Sequence, residues 1–123
     1  MKHFCLAILL LAGTAFAQED RLLAILKADA PPQEKSDACR ELARIGTRQA
    51  VPVLAPLLAD EKLSHMARFA LEPIADPAVD AALRDALGKV KGPLLVGVIS
   101  SLGVTVNAKL IWLKLAQLSV EAW

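Results

Sequence analysis

One helical signature returns along the chain at an almost constant spacing. Leu42-x-x-Ile45-Gly46, Leu71-x-x-Ile74-Ala75 and Ile99-x-x-Leu102-Gly103 are three versions of one helix ending, separated by steps of 29 and 28 residues. Two further rows keep the step: Leu54, Leu83 and Ile111, and Leu58, Leu87 and Leu115. Apolar positions at helical spacing, with a period of this length and no strand-like alternation, describe one helical hairpin per repeat. A lone hairpin cannot bury its apolar face, so successive hairpins must stack and share a core. The predicted fold is all-α, an α-solenoid of stacked antiparallel helix pairs. Such arrays generally work by presenting a surface.

The first seventeen residues stand outside that pattern. Lys2 and His3 precede a short apolar run, Phe4 to Ala12, and Ala15-Phe16-Ala17 follows. A charged start, an apolar core too short to span a bilayer and an A-x-A site together predict a secretory signal over 1–17. Cys5 lies upstream of that site and would leave with the leader, so Cys39 would have no partner within the chain. Loss of Lys2 leaves 13 basic and 13 acidic side chains. A neutral chain argues against general nucleic-acid or anionic-membrane binding, which needs clustered positive charge. The remaining 106 residues suit one domain, 18–123. Aromatic content of 4% against 55% hydrophobic residues fits closely packed Ala, Leu and Val helices.

Local signals divide that domain. Residues 18–28 read as an opening helix with Leu22, Leu23 and Leu26 on one face, ended by Pro31-Pro32. The first pair (34–60) has its first helix closed by Gly46 and its second capped by Thr47. Pro52 falls in the second helix's opening turn, while Pro56 sits deeper and predicts a bend. In the second pair (61–88) Pro73 shortens the first helix, and Asp76-Pro77 caps and starts the second. Gly92-Pro93 opens the third unit (92–121). There Leu95, Ile99 and Leu102 continue the core series to Gly103, Thr105 stands where a cap is needed, and a second helix is predicted from Val106.

Arg40-x-Leu42-x-x-Ile45-Gly46 with Ala50-Val51-Pro52-x-Leu54-x-x-Leu57-Leu58-x-Asp60 resembles the HEAT-repeat family. Arg68-x-Ala70-Leu71-x-x-Ile74-x-Asp76-Pro77-x-Val79 matches it again. The chain looks most like the exported HEAT-repeat proteins of bacteria, over about residues 34–104. The resemblance implies a superhelical stack whose second helices line a concave face, and an interaction scaffold in place of an enzyme. After Gly103 the pattern departs: Val104-Thr105-Val106 and the apolar run Leu110–Leu113 replace a polar loop and an amphipathic helix. A final helix wrapped around the stack, docking to a partner, and a truncated or altered array all fit, truncation or alteration first.

Few residues invite chemistry. His65 lacks the companions of a catalytic or metal site, and Asp60 and Glu61 read as helix-start charges. Cys39, beside Arg40, fits a half-buried structural position better than a reactive one. Arg40 and Arg68, 28 residues apart, are expected to pair with Asp37, Glu41 or Glu72 and to pack their stems between repeats. No catalytic residue, cofactor or metal site is predicted.

Stepping along the second helices gives three rows for the concave face: Ala55, Arg84, Trp112; Pro52, Ala81, Lys109; Pro56, Asp85, Leu113. Arg84, Asp85, Lys109 and Trp112 are the partner-binding candidates, since Arg and Trp are favoured at interface hot spots. The expected function is a non-catalytic scaffold, periplasmic or extracellular, binding another protein, with no nucleic acid and no membrane after leader removal. The alternatives are an accessory domain or lyase-like repeat enzyme, and a fragment of a longer array without independent function.

Overall fold

The computed structural model of the chain describes the backbone of residues 2–121 and the side chains of residues 14, 16–107, 110, 113 and 115–117. The helices are α1 (Lys2–Lys27), α2 (Pro32–Ile45), α3 (Val51–Leu54), α4 (Ser64–Leu71), α5 (Pro77–Leu87) and α6 (Pro93–Glu121). Short 3₁₀ helices, Arg48–Ala50 and Ala55–Ala59, flank α3, and no strand occurs among the described residues. Two rows of helices make the stack. In one, α2 packs on α4 and α4 on α6; in the other, α1 packs on α3 and α3 on α5. The rows join through α1 against α2, α3 against α4 and α5 against α6. This is an all-α repeat solenoid, as the spacing requires.

The repeat rows form its seam. Leu42, Leu71, Leu54 and Leu83 are fully buried, with Ala38, Cys39, Ala67, Ala70 and Val79 filling the space between them. Small side chains allow the two rows to approach closely. The opening helix joins the same pattern: Leu23, Val51 and Val79 form one buried row, and Leu26, Leu54 and Leu83 another, at steps of 28 and 29. Residues 18–27 are therefore the second helix of a preceding half-repeat, a role their sequence reading as an opening helix did not assign. They run without a break into the segment before them, for α1 is one helix through Ala17.

Caps and prolines act largely as expected. Thr47 Oγ1 accepts from Gln49 N–H, and Asp76 Oδ1 accepts from Ala78 N–H at 2.8 Å. Pro56 turns the end of the first pair into the 3₁₀ stretch Ala55–Ala59, and α4 ends at Leu71 ahead of Pro73. The start of α4 is later than predicted. Asp60 Oδ1 holds the N–H groups of Lys62 and Leu63 in a turn, which delays the helix to Ser64. Gly46 is fixed by a close approach: a Cβ there would stand 2.5 Å from the Leu42 carbonyl oxygen. Gly92, with φ +59°, makes the left-handed turn into α6.

The third unit departs from the sequence reading. Instead of two helices meeting near Thr105, α6 is continuous from Pro93 to Glu121. Thr105 Oγ1 donates to the Leu102 carbonyl and so caps nothing. A mid-helix glycine costs about 1 kcal/mol, so Gly103 does not force a break, and no proline is present to do so. Ile99, expected in the core, is 55% exposed, and the buried position moves to Val98. The reason is that among the described residues no further helix pair covers that side of α6. Leu87 and Leu115 are exposed as well, so the row begun by Leu58 is buried only there.

Candidate partner-binding surface

Polar ties between neighbouring repeats set the spacing on which any surface rests. Glu19, 1% exposed, accepts from the Thr47 N–H at 2.8 Å and from the Thr47 hydroxyl at 2.9 Å. Arg68 Nη1 donates to the Gly97 carbonyl at 3.2 Å, and the Ser101 hydroxyl donates to Glu72 Oε1 at 2.7 Å. Each tie joins residues 28 or 29 apart, one repeat step. The charged partner in each strengthens the bond. Gly97 admits the Arg68 guanidinium, whose atoms lie 2.6–2.8 Å from where a Cβ would be. Arg68 thus packs between repeats, as its periodicity suggested, but it meets a carbonyl where a carboxylate was expected. Arg40 does find Asp37, at 3.0 Å on an exposed face, where such a pair contributes little. Sequence reasoning missed the Glu19–Thr47 tie. The separation of one repeat step was the signal available for it.

Of the candidate binding residues, Arg84 and Asp85 lie side by side on α5, both exposed. They serve different grooves. Asp85 borders a hollow of about 250 Å³ between α5 and the first pair, walled by Pro52, Ala55, Pro56, Ala82 and Ala86. Arg84 borders a second, of about 420 Å³, with Pro77, Asp80, Ala81, Val106 and Leu110. Two of the three rows proposed from periodicity are therefore split, with Pro52 and Ala55 on the first groove and Ala81 and Arg84 on the second, while Pro56 and Asp85 share the first. Continuous α6 explains this, since it brings Val106 and Leu110 beside α5. The side chains of Lys109 and Trp112 lie outside the described residues.

The chemistry of these hollows is shape with a charged rim. Asp85 accepts from Lys89 Nζ at 2.7 Å, an exposed pair of small energetic weight. Arg84 carries its charge at the second rim. Among the described residues no group of three or more His, Cys, Asp or Glu is placed to hold a metal ion. His65 is exposed, its Nδ1 3.5 Å from Arg68 Nη2. Cys39 is fully buried, deeper than predicted, and burial pushes its thiol up to about 11. It stays protonated at neutral pH and is a poor nucleophile. No helix, among the described residues, is long and apolar enough to cross a membrane.

Comparison with known proteins gives one result. A family model of HEAT repeats matches residues 19–102, from the Glu19 tie through the first part of α6. Its first residue falls in the half-repeat identified above. No curated protein and no solved structure shows a significant match.

Proposed function

The chain belongs to the HEAT-repeat family, and from that premise we propose that it is an exported scaffold that binds another protein astride α5. The family is typically a non-catalytic helical scaffold for protein interactions. The observation that carries the reading is the α5 ridge: Arg84 and Asp85 stand next to each other with an open groove on either side. A partner seated across this ridge fills both hollows with apolar side chains and meets opposite charges at the two rims. Arginine beside a desolvated hollow is a frequent hot spot.

Export rests on Lys2, His3, the apolar run and Ala15-Phe16-Ala17. Amino-terminal sequencing of the protein recovered from cells that make it reads Gln18 first under this proposal, and Met1 if export is wrong. For binding, a photo-crosslinking side chain is placed at position 84 or 85, and at position 33 on α2 as a control. One polypeptide is expected from 84 and 85 and none from 33. The Arg84→Ala, Asp85→Ala double variant weakens capture of that polypeptide by about tenfold or more. Equal crosslinking from position 33, or undiminished capture, removes the α5 assignment.

A further inference from the structure

The fold begins directly behind the proposed leader, with no spacer between them. Glu19 is 1% exposed and takes both Thr47 bonds, and Leu23 and Leu26 already stand in the buried rows. The match to the HEAT-repeat model likewise starts at residue 19. Gln18 is the first residue outward of this boundary, and it is exposed. The boundary thus falls on a residue whose carboxamide lies in water and whose neighbour is pinned.

Cleavage after Ala17 makes Gln18 the head of α1 and gives it a free α-amine. Several features of that place favour one reaction. The first four N–H groups of a helix have no acceptor within it, so consuming one breaks no intrahelical bond. A five-membered ring is tolerated at the first helical position for the same reason, as with proline. Helical side chains adopt χ1 of about −60° or about 180°, and the former sets Cγ gauche to the backbone nitrogen, on the way to ring closure. The positive end of the helix also disfavours an ammonium beside it, and a lactam removes that charge.

We propose that Gln18, once it heads the chain, closes to a pyroglutamyl residue, a modification that rests on the leader reading above. The α-amine nitrogen attacks Cδ of the side-chain carboxamide. A new N–Cδ bond replaces the Cδ–Nε2 bond, and Nε2 leaves as ammonia with the proton that the amine gives up. The step consumes no oxidant, metal or second substrate. It leaves the first half-repeat without an α-ammonium, the group by which aminopeptidases hold a chain end. Glu19 keeps its bonds to Thr47 throughout, since the ring is built from Gln18 alone.

Mass spectrometry of protein freshly isolated from cells expressing the full-length sequence tests this. An amine-directed label is added to the intact protein before digestion, so that closure during peptide handling is excluded. The tryptic peptide 18–21 is then expected unlabelled at its first residue and lighter by one ammonia than its unmodified form. Gln18→Ser has no carboxamide to close, retains its free amine and takes the label, which shows that the leader is still removed. A wild-type chain that begins at Gln18 and takes the label there overturns this inference and leaves the leader reading standing. A chain that begins at Met1 overturns both. A blocked first residue in Gln18→Ser as well as in the wild type points to a different modification and overturns the ring closure.

Discussion

Glu19 offers the sharpest test of how neighbouring repeats are held together. Its buried carboxylate takes two hydrogen bonds from Thr47, one from the backbone and one from the hydroxyl. Bonds to a charged acceptor contribute about 1.5–3 kcal/mol each when fully desolvated. Thr47 is exposed, so water recovers part of the loss, and Glu19→Ala is expected to cost about 2 kcal/mol. For a domain of this size that is a fall of roughly 10 °C in Tm. Thr47→Val removes the hydroxyl bond and the cap on Gln49 while keeping the backbone donor. In a double-mutant cycle read by urea unfolding, the cap's contribution cancels and the Glu19–hydroxyl coupling remains. We expect about 1 kcal/mol for it. Additivity within about 0.3 kcal/mol, or an unchanged Glu19→Ala midpoint, refutes the idea that the tie carries stability.

Three further outcomes follow from buried geometry. Gly46→Ala presses a Cβ on the Leu42 carbonyl and should destabilise by about 1–3 kcal/mol in urea titration, whereas Gly97→Ala meets only the movable Arg68 guanidinium and is expected to be milder. Leu83→Ala empties a fully buried site and should cost about 2–5 kcal/mol, against less than about 0.5 for an exposed exchange such as Phe69→Ala. Burial raises the folded-state Cys39 thiol from 9.0 to about 11, so the unfolded chain ionises first as pH rises. Stability from this group is intact below pH 9 and is lost between 9 and 11; Cys39→Ala should flatten that part of the pH–stability curve.

The stack was legible because its energetics are local and repeated. Leu42 and Leu71, Leu54 and Leu83, and the caps Thr47 and Asp76 recur at one step, and each lies where that step puts it. Gly103-Val104-Thr105 misled because a glycine and a capping residue permit a break without requiring one. Thr105 could spend its hydroxyl on Leu102 once the helix ran on. Ile99 obeyed the sequence rule but had no neighbour to bury it, a fact about packing that no single repeat encodes. Periodicity places Arg84 and Asp85 in neighbouring rows of one concave face, whereas the structure sets them at separate grooves on either side of α5. The 3₁₀ stretch and the path of α6 redirect the surfaces beside α5, and neither is expressed in residue spacing.

Pro56 has an effect beyond ending a helix. A 3₁₀ coil climbs about 2.0 Å per residue against about 1.5 Å in an α-helix, so Ala55–Ala59 forms a slimmer, drawn-out rod. Its Ala55, Pro56, Leu58 and Ala59 side chains form one wall of the dent beside α5. The dent is thus shaped by the short, mostly apolar side chains that the 3₁₀ path presents, while Asp85 and Lys89 set the charge at its edge. Exchange of those two charges can re-address the dent and leave its contour untouched.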